Sequence, residues 1–189
     1  TDFYADAFLN PSSLQINPLN LALYMAGVAA AGGASIFEQS RAVAIYRQGA
    51  NWIVKTQRGQ ICARHVVLAG GAHLGWLWPR LGLATVPIAS FVMSTESAPD
   101  RLKQAIRTDY AISDARVATD YYRILPDGRL LWGGRASAIE WSAPRAKRQL
   151  QSDLERIYPQ LADLDIEFTW SGLMPIARHR MPVIGPLGQ

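Results

Sequence analysis

The chain has 189 residues, 49% hydrophobic and 18% charged, with a formal net charge of +4. That composition supports one sizeable core or two small ones, and no apolar run approaches the roughly 20 residues a membrane-spanning helix needs. The one cysteine, Cys62, excludes an intramolecular disulfide and a thiolate zinc site and points to the reducing cytoplasm, while the basic clusters at Arg145, Lys147, Arg148 and at Arg178, Arg180 do not alternate with aromatics as a nucleic-acid surface would.

The first predicted element is a helix opening at Asn17-Pro18. Asn17 can cap it by accepting backbone N–H bonds, and Pro18 suits the first helical position. Leu19, Leu23, Ala26 and Ala30 share one face, and Gly32-Gly33 can end the helix in a left-handed turn. Residues 19–34 are rich in alanine and read as a buried helix. A short strand is expected over residues 34–38, giving half of an α/β unit. Two antiparallel strands follow over residues 41–46 and 52–56, joined by a turn at Gln48-Gly49-Ala50-Asn51. After a turn at Arg58-Gly59, residues 61–69 read as a third strand, with Cys62 a plain strand residue. That strand ends in Val66-Val67-Leu68-Ala69. A continuous apolar run implies burial on both faces, as in a central parallel strand, and it stops at Gly70-Gly71.

Beyond Pro79 the pattern becomes antiparallel. Residues 87–95 read as a strand and residues 100–107 as a short helix. Strands over residues 121–125 and 129–133 flank Pro126-Asp127-Gly128, a hairpin signal because glycine supplies a positive φ. Ser142-Ala143-Pro144 opens an amphipathic helix with Leu150, Leu154, Ile157 and Leu161 on one side. Its first turn carries Arg145, Lys147 and Arg148, which the helix dipole disfavours, and the sequence offers no account of them. A last strand is expected over residues 166–170. Residues 87–167 should therefore form a mostly antiparallel sheet, with the helix over residues 143–158 packed on one face.

Motifs that would name a chemistry are missing. There is no G-x-G-x-x-G, no Walker loop and no nucleophile elbow. His65, His73 and His179 are far apart and lack metal-ligand spacing, and no carboxylate pair is marked. The residues alone give an α/β plus antiparallel-sheet protein with no catalytic acid or base singled out.

Four segments, in order, resemble the FAD-dependent D-amino-acid-oxidase-like superfamily, in particular its gamma-glutamylputrescine oxidoreductase branch. The first is Asn17-Pro18-Leu19-Asn20-Leu21-Ala22, similar to that branch's His-Pro-Leu-Asn-Leu-Ala. The second is Val66-Val67-Leu68-Ala69-Gly70-Gly71-Ala72-His73-Leu74-Gly75, similar to Val-Ile-Val-Ala-Gly-Asn-Ala-Tyr-Leu-Gly. The third runs from Asp120-Tyr121-Tyr122-Arg123-Ile124 to Arg129-Leu130-Leu131-Trp132-Gly133-Gly134. The fourth runs from Trp170-Ser171-Gly172 to Arg180-Met181-Pro182.

The resemblance implies an internal fragment of a longer flavoprotein, which fits a start at Thr1 without Met and a loop-like end. Its expected parts are a substrate-domain entry strand over 1–17, a partial FAD-binding domain over 18–86 (meander plus parallel strand), an antiparallel-sheet substrate domain over 87–170, and a return towards the FAD domain over 171–189. By the same resemblance, the strand around Val43 passes near the adenine, and the Ala69-Gly70-Gly71 turn comes close to the ADP portion. A plain core-strand role for Val43 and a plain strand end at the glycines stand beside these readings. Tyr122, Arg123, Gly134 and Trp170 lie on segments that face flavin and substrate in relatives; an aromatic sheet core is the alternative, and Arg123 is equally readable as a solvent-facing strand residue.

Two departures from the family pattern matter. Amino-acid oxidases of the superfamily carry Gly-Leu-Arg-Pro after the last tryptophan, and that arginine grips the substrate carboxylate. Here the segment is Gly172-Leu173-Met174-Pro175, and Met174 cannot form that pair. Asn17 also replaces the branch's histidine. The expectation is an enzyme that oxidises the C–N bond of a small-molecule amine or amino acid, an amine being favoured. Flavin takes the hydride and the imine then hydrolyses. The fragment alone is expected to be inactive and not to retain FAD. The alternatives are a folded ligand-binding or interaction domain without activity, and an amino-acid dehydrogenase with a non-oxygen acceptor.

Overall fold

The computed structural model describes residues 3–187. They fall into two compact units. One is Leu14–Thr85; the other joins the residues before it to those from Val86 onward.

In the first unit, α1 (Pro18–Ala31) forms as its punctuation requires. Asn17 Oδ1 accepts the Asn20 N–H at 3.1 Å. At the other end Gly33 adopts φ +92, Gly33 N–H donates to the Ala30 carbonyl and Ala34 N–H to that of Ala29, both at 3.0 Å. This doubly bonded closure satisfies two carbonyls that the helix end would otherwise leave unpaired. A three-stranded antiparallel meander follows: β1 (Ala42–Gln48), β2 (Asn51–Thr56) and β3 (Gln60–Ala63), in spatial order β1-β2-β3. The β1–β2 loop is only two residues long. Gly49 takes φ +61 in it, whereas Ala50 stays out of the positive-φ region, the pattern of a type II′ hairpin turn. A short helix, α2 (Pro79–Gly82), closes the unit.

Three expectations fail in this unit. Helix α1 has no buried residue, and Leu19 and Leu23 are 65% and 62% exposed. Residues 34–38 form no strand, and the third strand stops at Ala63, so that Val66-Val67-Leu68-Ala69 is unpaired and Val67 is 87% exposed. Local signals suffice to make a helix, but a strand exists only through a neighbour's hydrogen bonds, and burial needs a facing element. Among the described residues no strand pairs with either segment. For the same reason, residues 3–17 hold no strand where an entry strand was expected.

The second unit is built on a five-stranded sheet, order β5-β6-β7-β4-β8: β4 (Thr85–Ser97), β5 (Ile112–Ser113), β6 (Tyr121–Ile124), β7 (Arg129–Ser137) and β8 (Ile166–Ala177). The β5–β6, β6–β7 and β7–β4 pairs are antiparallel, the β6–β7 pair as the turn at Pro126-Asp127-Gly128 predicted. In the β6–β7 hairpin, Gly128 N–H closes on the Leu125 carbonyl at 3.0 Å and Gly128 takes φ +77. A Cβ there would also lie 2.9 Å from Ser97 Oγ, so space and φ both call for glycine. Pro175 is tolerated within β8 because that strand lies at the sheet edge.

One sheet face packs on α3 (Pro99–Ala105) and α4 (Ala143–Ile157). Phe91, Met93, Leu130 and Trp132 from the sheet meet Leu102 from α3 and Leu150, Leu154 and Ile157 from α4, all fully buried. Each such side chain contributes about 1.5–3 kcal/mol through burial. The cationic first turn of α4 also finds its explanation here. Lys147 Nζ donates to the Ile166 carbonyl at 3.0 Å. The Arg145 guanidinium sits 4.6 Å from the Trp141 ring centre, and that ring stacks on Phe91 at 4.5 Å. A cation–π contact and a cross-element hydrogen bond offset the unfavourable dipole.

Candidate functional site

Alternation along β6 sends successive side chains to opposite sheet faces. Tyr122 goes to the helix-covered face. It is 3% exposed, stacks on Trp132 at 4.1 Å and shares a 3.0 Å hydroxyl contact with Tyr158. Burial, reinforced by that hydroxyl partner, pushes the Tyr122 phenol far up, and it stays neutral. Gly134 belongs to the same face: a Cβ on it would lie 2.3 Å from Asp120 Oδ1, so its missing side chain makes room for a buried carboxylate. Tyr122 and Gly134 thus have a packing role between sheet and helix.

Asp120 pairs with Arg116, yet burial, followed by the nearby Asp153 charge, holds its pKa above the ordinary carboxylate range. Asp153 projects from α4 and is gripped by Arg135, with Nε to Oδ2 and Nη2 to Oδ1 both at 2.6 Å, and by Arg156 at 3.0 Å. Ser90 pairs with Ala136 and Phe91 with Gly134, so Arg135 is the extra residue of a β-bulge, at φ +60. A non-glycine residue is uncommon there. The bidentate grip on Asp153 holds it in place and commits this arginine to the fold.

The opposite face carries Tyr121 and Arg123. Tyr121 is 39% exposed, and its hydroxyl lies 3.4 Å from Ser90 Oγ. On the edge strand β8, Trp170 and Met174 are 46% and 41% exposed. The structure therefore brings Tyr121 and Arg123 together on one face and separates them from Tyr122 and Gly134. Tyr121 was missed by sequence reasoning. No sequence signal separates the two, because only the strand register pairs Tyr122 with the buried Trp132 and leaves Tyr121 for the open face.

In the Leu14–Thr85 unit, Ala42 pairs with Thr56 and Ala44 with Lys55. Val43 is thus the extra residue of a bulge on an edge strand, and its backbone lies outside the ladder pairing. Ala69, Gly70 and Gly71 are exposed. Gly70 is right-handed (φ −77, ψ −6) and Gly71 follows at φ +52. That alternation of hand turns successive N–H groups to one side, a concavity suited to an anion such as a phosphate. A backbone exposed at Val43 and an N–H concavity at Gly70-Gly71 both fit a dinucleotide cofactor. Among the described residues, no group of three His, Cys, Asp or Glu could hold a metal, and no helix is long and apolar enough to cross a membrane.

The chain is 32% identical over 189 residues to gamma-glutamylputrescine oxidoreductase of Escherichia coli (strain K12), covering 99% of this chain and 44% of that protein. It is 27% identical to glycine oxidase of Bacillus subtilis (strain 168), covering 81% of this chain and 40% of that one. The fold matches the crystal structure of glycine oxidase from Geobacillus kaustophilus with a TM-score of 0.73 at 22% identity, over 88% of this chain and 44% of that one. The crystal structure of L-proline dehydrogenase from P. horikoshii matches equally, with a TM-score of 0.73 at 18% identity, over 90% and 47%. The chain thus spans less than half the length of these relatives. A family model described as FAD dependent oxidoreductase matches residues 1–189, and the chain belongs to that family.

Proposed function

We propose that the parent of this chain oxidises the C–N bond of a small-molecule amine. The carrying observation is Met174. It lies exposed on β8, at the position that the resemblance of Gly172-Leu173-Met174-Pro175 to Gly-Leu-Arg-Pro gives to a carboxylate-gripping arginine. A thioether offers polarisable apolar surface and no charge, and a carboxylate desolvated without a cation is costly. Of the three arginines that could take its place, Arg123, Arg135 and Arg178, Arg135 is already bound to Asp153. The relative named for gamma-glutamylputrescine supports the same substrate class.

In this reading, residues 18–86 form part of the FAD domain, residues 87–170 the substrate domain, residues 1–17 the entry to the substrate domain and residues 171–189 the return towards the FAD domain. Val43 would meet the cofactor through its backbone, and Ala69, Gly70 and Gly71 would approach its phosphates. When bound, FAD supplies a hydride acceptor. The residues of this chain proposed to face the substrate are Arg123 on the open face of the sheet and the exposed Trp170 and Met174 on β8, with Tyr122 and Gly134 setting the strands from behind. An aromatic, weakly hydrated wall favours delivery of the neutral amine. The lone cysteine supports a cytoplasmic setting. The chain by itself is proposed to be inactive.

The test uses the full-length, FAD-loaded protein. Amines, glycine and D-amino acids are compared for flavin reduction, with Met174→Arg beside the wild type. Amines should reduce the wild type fastest, and M174R should shift preference towards amino acids by about tenfold or more, the scale of one charge-assisted pair. A wild type reduced faster by an amino acid than by every amine overturns the reading.

A further inference from the structure

Tyr121 is held in an unusual way on the open face of the second unit's sheet. Its ladder partner is Gly133, whose other neighbour is Val92. A Cβ on Gly133 would lie 2.2 Å from Cε2 and Cζ of Tyr121 and 2.4 Å from its hydroxyl. The ring therefore lies flat across the Gly133 backbone instead of standing off the sheet, and only glycine permits this. The flat ring carries its hydroxyl across β7 to Ser90 on β4, 3.4 Å away. A ring that merely covered a sheet glycine would need no hydroxyl; phenylalanine would serve as well. Here the hydroxyl is brought to a second hydroxyl on a ring still 39% exposed.

We infer that Tyr121 and Ser90 form the polar part of the substrate-facing wall and bind an uncharged polar group of the substrate, an amide or a neutral amine nitrogen. Two hydroxyls can each donate and accept, which suits a group that itself does both. Neither carries charge, so the pair discriminates by hydrogen bonding. Tyr121 is a specificity-determining residue in this scheme, and Gly133 is the positioning residue that lets its ring lie down. The inference rests on the reading above that this face meets the substrate.

Steady-state and flavin-reduction kinetics of the full-length, FAD-loaded protein test it, using whichever substrate class reduces the wild-type flavin. Tyr121→Phe should raise KM by about tenfold, the loss of one hydrogen bond, with the limiting reduction rate within about twofold. Ser90→Ala should raise KM in the same direction. Gly133→Ala, which drives the ring off the sheet, should do so at least as strongly. Tyr158→Phe, a change in the core, should leave KM unaltered and lower only the unfolding midpoint. Should Y121F fail to fold, S90A is read alone. KM values within twofold of wild type for the variants that fold would overturn the inference. A wild type reduced by amino acids in place of amines would overturn the amine reading alone, because Tyr121 is judged on the KM of the class that works.

Discussion

At the residue scale, the carboxylate of Asp120 shows how the second unit spends space. It occupies the volume that Gly134 leaves empty, touches Arg116, and faces the charge of Asp153. Its pKa is raised in the fold, so the native state binds its proton more tightly than the unfolded chain does. Stability linked to this group is therefore fully present below the unfolded carboxylate value and lost as pH rises through the raised folded value. Asp120→Asn removes that dependence. Urea unfolding of wild type and D120N across the acidic range should show the difference move in favour of the asparagine variant as pH rises, then level off. A difference that is flat, or that moves towards wild type, contradicts the raised value. The neighbouring Asp153 differs because Arg135 and Arg156 both grip it. Only the Asp153 end of these pairs is buried, at 1% exposure against 35% and 45% for the two arginines, so removing an arginine leaves a buried carboxylate less well paired.

At the element scale, two helices of similar length make the contrast between forming and packing. Helix α4 buries Ala146, Leu150, Asp153, Leu154 and Ile157, whereas α1 buries nothing. Leu154→Ala should cost about 2–5 kcal/mol of unfolding free energy. Leu23→Ala in α1, at a side chain 62% exposed, should change it by less than about 0.5 kcal/mol. Chemical denaturation of the two variants of this chain checks both, and equal losses would mean that α1 is packed in solution. The helix punctuation was legible beforehand. Asn17 caps α1 and Gly32-Gly33 end it, because caps are local hydrogen bonds between residues a few positions apart. The strand expected over residues 34–38 was not, because a ladder depends on a partner that may lie anywhere in sequence.

At the scale of the whole molecule, the two units differ in how much core they own. The unit from Val86 onward carries almost all the buried apolar residues, while Leu14–Thr85 offers Ile53 and a largely exposed helix. Exposed Leu19, Leu23, Tyr24, Met25 and Val28 form an apolar surface of the kind that monomeric soluble proteins rarely leave uncovered. The cofactor contacts proposed for Val43 and Gly70-Gly71 rest on backbone alone, without a glycine-rich turn opening a long helix to hold the pyrophosphate. The purified chain should therefore be colourless after gel filtration, and it should bind an apolar-surface dye strongly at neutral pH. A stoichiometric flavin spectrum surviving filtration would show that these backbone contacts suffice.

The sequence by itself determined what rests on neighbours in the chain. It marked the caps of α1, the Pro126-Asp127-Gly128 hairpin, the apolar stripe of α4 and, through four ordered motifs, the family. Only the tertiary structure decided which of two adjacent tyrosines faces outward, because a one-residue change of register exchanges every side chain between faces. It decided that Gly134 makes room for Asp120 and Gly133 for Tyr121, and that the cations at the start of α4 find Trp141 and a carbonyl of β8. These outcomes depend on distances between residues far apart in sequence, and composition and spacing carry no information about such distances until the strands are paired.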